Sequence, residues 1–156
     1  MVEQKEYGHL WEILKEVPDP EIPVINLVEL GVIRKIEERP DQDKIIVTIT
    51  PTYTGCPAKK LFNDLIVEKL KEHGYNNVDI ISQLHPVWTT DWLSEETKNK
   101  LLKEGISPPT PGDKIITCPH CKSVNTKVVS QFGSTPCQSL YSCNDCKEPF
   151  NYFKCY

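Results

Sequence analysis

With 156 residues, 38% of them hydrophobic and 26% charged, the chain has the composition of a folded globular protein and the length for one ordinary domain plus a small appendage. Its net charge of -4 gives no electrostatic reason to expect a nucleic-acid partner, and no apolar run approaches the roughly eighteen residues of a spanning helix. The acidic, amphipathic start "MVEQKEYGHLWEILKEV" is unlike a secretory signal, so a cytoplasmic protein without membrane contact is expected, in which seven cysteines read as metal ligands or reactive thiols rather than a disulfide framework.

In chain order, residues 5–17 place Leu10, Ile13, Leu14 and Val17 at helical spacing, and the prolines of "VPDPEIPV" end that helix. "GVIRKIEE" and "DKIIVTIT" are β-branched runs joined by the polar turn "RPDQD", which predicts a hairpin. Ala58, Leu61, Phe62, Leu65, Ile66 and Leu70 form the apolar stripe of a second helix stopped by Gly74, and "NVDIISQL" supplies a third strand. A strand, helix, strand order closes as a right-handed parallel crossover, so the sheet is predicted to be small and mixed, with helices on one face. Ser94 caps a last helix with Glu95 and Glu96 in its first turn, Lys100 and Lys103 in its last and Gly105 as its stop. The prolines and glycines of "EGISPPTPGD" then mark a connector. Beyond it, residues 112–156 carry five Lys/Arg against three Asp/Glu, giving +2, whereas residues 1–111 carry thirteen against nineteen, giving -6. The fold class expected is α+β: a mixed three-stranded sheet with helices over residues 1–105, a linker at 106–112, and a small β zinc-ribbon module over 113–156.

Cys56 stands out in "TPTYTGCPAKKLF". If its helix begins at Pro57, a favoured first helical residue, the thiol occupies a capping position where free amides and the helix dipole favour an anion. Such a site lowers a thiol pKa and makes the thiolate available as nucleophile or ligand. The other reading is a small buried filler, since free cysteine is among the most buried residue types. The polar run Thr50, Thr52, Tyr53, Thr54 and Gly55 leading into it favours the reactive reading.

Asp19 and Glu21 lie in "DPEIPVINLVELGVIRKI", where two carboxylates between prolines make either a rigid turn with solvated charges or a charged group near the thiolate. "DPEIP", the "LG-I" approach to the first strand and the Thr-rich loop ending in "GCP" together resemble, over residues 8–85, the iron-sulfur assembly domain shared by SufT-type proteins and the eukaryotic cytosolic iron-sulfur targeting factor. The resemblance implies an assembly or delivery domain in which Cys56 is the reactive cysteine with Asp19 nearby; Glu21 and Thr54 are further candidates for the same site.

The second module has its own signal. "CPHC" (118–121) and "CNDC" (143–146) are two Cys-x-x-Cys knuckles separated by 21 residues, which reads as a four-cysteine zinc site formed by Cys118, Cys121, Cys143 and Cys146. "TKVVSQF" and "FNYFKCY" have strand character. About 44 residues cannot bury enough apolar surface alone, so a closed, structural zinc site would supply the missing stabilisation. Cys137 and Cys155 read as filler or a further ligand set, and Cys137 could replace a knuckle cysteine. His9, His73 and His85 read as surface or packing residues and His120 as exposed, while Trp88 and Trp92 read as anchors of the last helix or of a partner contact.

The order of the modules, with "TPTYTGCPA", "LHPVWTTDWLSEETKNKLLKEGISPP" and "SQFGSTPCQSLYSCNDCKEPFNYFKC", is similar over nearly the whole chain to the D subunit family of the phenylacetyl-CoA epoxidase (phenylacetate-CoA oxygenase) system. That resemblance implies a non-catalytic accessory factor for the metal centres of an oxygenase that has a di-iron subunit and a reductase, with those subunits as partners. Cys56 would hold iron or an iron-sulfur cluster transiently. A stable cluster usually takes four cysteines, so a homodimer, the client or a small thiol would complete the site. Two other readings stay open: a thiol-dependent enzyme or redox protein using Cys56, and a ribbon that serves as a binding scaffold. A nucleic-acid-binding ribbon has only the weak +2 footprint behind it.

Overall fold

The computed structural model describes residues 7–52, 59–109, 115–133, 135 and 138–153. Contacts divide the chain into two compact units, Met1–Trp88 and Thr89–Tyr156.

In the first unit, helix α1 (Gly8–Leu14) buries Leu10, Trp11 and Leu14. It ends before Val17, where helical periodicity predicted it to stop, because an extended pairing takes over the backbone. The Val17 carbonyl accepts the Leu27 N–H at 3.0 Å, Pro18 bridges Asn26, and the Asp19 N–H donates to the Ile25 carbonyl at 2.8 Å. Val17 is buried all the same, through this pairing rather than on a helix face.

Strands β1 (Ile33–Arg39) and β2 (Lys44–Ile49) form the predicted antiparallel hairpin around a short 3-10 turn at Pro40–Gln42. β3 (Val78–Ser82) pairs parallel to β2, and the sheet order is β1-β2-β3. The pleat separates two faces. Ile33, Ile36, Ile45, Val47 and Ile49 are buried on one, whereas the other carries the ion pairs Lys35–Glu37 and Lys44–Asp79 at 3.2 and 3.0 Å.

Helix α2 (Lys59–Glu72) buries Phe62, Ile66 and Leu70, one residue per turn, each worth roughly 1.5–3 kcal/mol. Leu61, expected in this stripe, is exposed, and Leu65 is half-buried. The expected start at Pro57 and Ala58 lies outside the described residues. At the other end Gly74 adopts φ +93°, its N–H reaches the Lys71 carbonyl at 3.0 Å and the Tyr75 N–H reaches Leu70 at 3.0 Å, which is a Schellman stop. Nothing stands within 4 Å of where a Cβ would sit on Gly74, so Gly74→Ala is expected to cost only the backbone strain, about 1 kcal/mol, readable as a shift of the urea midpoint at unchanged slope.

The second unit starts with the capped helix the sequence predicts. α3 (Glu95–Lys103) opens on Ser94, whose hydroxyl accepts the Thr97 N–H at 3.1 Å, and Gly105 follows its end at φ +75°. β4 (Ile106–Ser107), β5 (Thr126–Ser130), β6 (Gln138–Cys143) and β7 (Pro149–Phe153) make a sheet of order β4-β7-β6-β5, antiparallel except for the β4–β7 pair. This differs from the sequence reading in two places. Residues 89–105, expected in the first module, group with the second, and Ile106–Ser107, expected in the linker at 106–112, are a strand. Both follow from β4 hydrogen-bonding to β7 and drawing the helix before it into the same unit.

Candidate metal centre and a buried carboxylate

The four predicted knuckle cysteines converge. The sulfurs of Cys118, Cys121, Cys143 and Cys146 all lie within 4.8 Å of one another, with Cys118–Cys146 at 3.8 Å and Cys121–Cys143 at 3.5 Å. A tetrahedral zinc with Zn–S bonds of ~2.3 Å spaces its sulfurs ~3.8 Å apart, so the donor set fits that ion closely.

The knuckles are built alike. In each, the first cysteine's carbonyl accepts the N–H of the lysine four residues on, Lys122 to Cys118 at 3.0 Å and Lys147 to Cys143 at 3.1 Å. The first cysteine's N–H donates to the carbonyl one residue further, Ser123 at 2.8 Å and Glu148 at 3.0 Å. Both lysines take φ 67°, and each ammonium donates back to the carbonyl three residues before it, Pro119 and Asn144 respectively. This repeated turn is what aims two thiols per knuckle at one point.

Four thiols this close cannot all ionise without a cation. The N–H of Cys146 is the main influence lowering the Cys143 thiol to about 7. At Cys146 the N–H of Glu148 pulls the other way, but desolvation and the neighbouring thiols outweigh it and push the group up to about 12. A divalent ion removes that conflict, and with four protein donors no coordination position stays open for substrate, so the chemistry is that of a structural site. Cys137 and Cys155 lie outside the described residues. His120 is exposed, as expected.

Of the second predicted site, Asp19 and Glu21 lie among the described residues. Asp19 is 4% exposed, and its Oδ1 accepts the N–H groups of Glu21 and Ile22 at 2.9 and 2.7 Å in a tight turn between Pro20 and Pro23. Burial raises this carboxyl to about 6, against the two N–H donors that pull it down. The reading of Asp19 as a solvated turn charge is therefore corrected, while Glu21 is half-buried. Cys56 and Thr54 lie outside the described residues.

Thr50, just after β2, is buried, donates its N–H to the Val32 carbonyl at 2.8 Å, and its hydroxyl oxygen finds no partner among the described residues. Leu27 links the two places, since its N–H donates to Val17 and its carbonyl accepts from Val32. The strand run after Gly31 thus lies between the turn of Asp19 and the threonines that lead to residue 56. Trp88, expected as an anchor of the last helix or of a partner contact, is a core residue of the first unit, its Nε1 donating to the Leu30 carbonyl at 2.8 Å. Sequence reasoning named Thr50 only as loop polarity; the signal available was its place at the end of the β-branched run "DKIIVTIT", whose apolar members enter the core.

Comparison with known proteins agrees with both halves. Residues 9–80 match the iron-sulfur cluster assembly protein family and residues 106–154 match the PaaD zinc beta ribbon domain. The chain is 40% identical over 154 residues to the D subunit of a 1,2-phenylacetyl-CoA epoxidase of Escherichia coli (strain K12), covering 94% of this chain and 91% of that one. Among solved structures, a domain of unknown function, DUF59, from Bacillus anthracis superposes with TM-score 0.55 at 22% identity over 60% of this chain and 89% of its own. A conserved hypothetical protein from Thermotoga maritima does so with TM-score 0.51 at 28% identity, over 65% and 98%.

Proposed function

The chain belongs to the D subunit family of the phenylacetyl-CoA epoxidases, and we propose that within it this protein is a non-catalytic accessory factor that helps to assemble the oxygenase's metal centres, an iron-sulfur cluster or a di-iron site. The observation that carries the reading is one chain holding both a region that matches iron-sulfur assembly proteins and a four-thiol centre with no open coordination position. The ribbon metal then stabilises a recognition surface, and the transfer chemistry falls to the first unit.

In this reading Cys56 is the ligand that holds iron or a cluster in transit, with Thr54 and Glu21 as its polar surroundings. The thiol proton leaves as the sulfur–iron bond forms, and Asp19 is the acceptor because a carboxyl held at about 6 takes a proton more readily than an ordinary one. The client, a reductase or di-iron subunit, a second copy of this chain, or a small thiol supplies the remaining ligands. The factor and its clients are cytoplasmic in this reading; no helix among the described residues is long and apolar enough to cross a membrane.

The test is metal and acid-labile sulfide per chain in anaerobically purified protein, wild type beside Cys56→Ser, with client metallation measured in cells carrying each. About one zinc in both is expected, with iron and sulfide in wild type alone and a severalfold loss of client metal in the variant. Unchanged client metallation would overturn the reading. It would favour the alternative that the ribbon is a scaffold subunit, for which the exposed apolar side chains Val128, Val129 and Phe132 on and after β5 speak.

A further inference from the structure

The two knuckles are tied to each other by a polar network that ligation of a metal does not itself require. Asp145 lies between Cys143 and Cys146. One of its carboxylate oxygens accepts the Ser123 hydroxyl, and the other accepts Asn125 Nδ2 at 3.1 Å. The Ser123 hydroxyl oxygen also accepts the Asn125 N–H at 3.0 Å, which fixes the turn just after the first knuckle. Asn144 completes the set, its Nδ2 donating to Asn125 Oδ1 at 3.0 Å and its N–H to the Asn125 carbonyl at 2.8 Å. Ser123 is in turn the residue whose carbonyl holds the Cys118 N–H. A continuous path therefore runs from the first ligand of one knuckle to the middle of the other.

We propose that Asp145, acting through Ser123 and Asn125, is a positioning residue for the zinc site, holding the two Cys-x-x-Cys turns at ligating separation around the ion. The residue type fits the task. Two donors approach from the same neighbouring turn, and only a carboxylate offers two acceptor oxygens with no competing donor. Its charge does not explain its presence, because an anion beside four thiolates repels them. A geometric role and a charge role thus predict opposite signs for the same substitution. Asp145→Asn removes the charge and leaves one of the two donors facing an amide N–H; if charge governed, zinc would bind more tightly, whereas if geometry governs it binds more weakly.

The experiment is zinc affinity and release rate in the full chain, by competition with a colour-forming chelator, together with the visible spectrum of the cobalt(II)-substituted protein. Asp145→Asn is expected to weaken zinc about 10–100-fold, to speed release and to alter the tetrahedral cobalt bands. Affinity unchanged within about twofold, or tighter, overturns the proposal. Ser123→Ala is expected to lose affinity and Ser123→Thr, which keeps the hydroxyl, to retain it; the Ser123→Ala, Asp145→Asn double variant should be no worse than the weaker single. If Asp145→Asn does not fold, equal affinities of the Ser123→Ala and Ser123→Thr proteins overturn the proposal on their own.

Discussion

Stripping the metal from the intact protein with a strong chelator is expected to erase amide protection across β6 and β7 while leaving β1–β3 protected, and Cys143→Ser is expected to prevent the ribbon from forming. The reason lies in the size of its core. The buried cluster around the site is Ile116, Cys118, Cys143 and Phe150, with Tyr141, Cys146 and Tyr152 packed at its edge, so three of these seven side chains are ligands. β5 adds almost nothing, its residues being exposed or half-buried. Aromatic contacts such as Tyr141–Phe150, centroids 5.9 Å apart, contribute only about 1 kcal/mol each. A structural zinc in a small domain supplies roughly 10–16 kcal/mol, as much as the whole stability of an ordinary fold. The sign of the pH dependence follows from the ligands. Zinc binds thiolates, so coordination holds the cysteines ionised far below their free range, and the stabilisation is present at neutral pH and is lost as the pH falls and protons displace the ion. Hydrogen exchange with and without chelator reads this directly, and β6–β7 protection surviving in zinc-free protein would sink it.

Asp19→Asn is expected to stabilise the first unit by about 3 kcal/mol at pH 8, the conversion of a shift from 3.8 to about 6 at 1.36 kcal/mol per unit. Because the folded-state pKa is raised, the favourable contribution is complete below the unfolded value of 3.8 and disappears as the pH rises through about 6. At pH 8 the native state therefore carries an ionised carboxylate in a site that disfavours it. Asparagine keeps the Oδ1 acceptor for the Glu21 and Ile22 amides and removes the charge. The gain should shrink through pH 6 and vanish below about pH 4, as read from exchange of the β2 amides. A gain that does not depend on pH would place its origin elsewhere than in the buried charge. In the proposed assembly role Asp19 is the proton acceptor, so the same substitution is expected to impair client metallation.

What could be read from the residues alone was whatever short-range chemistry decides. The α3 cap at Ser94, its charged ends and the Gly105 stop lie within a dozen residues, and they are found as expected. Each zinc knuckle is likewise local, and only the meeting of the two depends on the fold. The hairpin of β1 and β2 and the parallel return to β3 follow from alternation and from the helix between them. What escaped depends on backbone pairing outside the periodic elements, or on partners far along the chain. No helical or strand period announces that the Asp19 backbone will pair with Ile25, and nothing near Trp88 points to Leu30, fifty-eight positions earlier. Helix α1 ends early for the same reason, since Val17 satisfies periodicity but its carbonyl is taken by Leu27. The units divide after Trp88 rather than at the proline-rich connector, because prolines mark where a helix stops, not which sheet the following strand joins.

That strand decides how the ribbon can be handled as a separate piece. β4 is only two residues long, yet it covers the outer edge of β7, the strand that leaves the second knuckle. A fragment begun at residue 113 would uncover the main-chain amides and carbonyls of β7 beside Phe150 and Phe153, an invitation to pair with another molecule. A fragment begun at residue 89 carries its own cover. The shortest stretch that behaves as a solitary molecule is thus set by a two-residue lip and the helix that delivers it, not by the cysteines that define the ribbon in sequence.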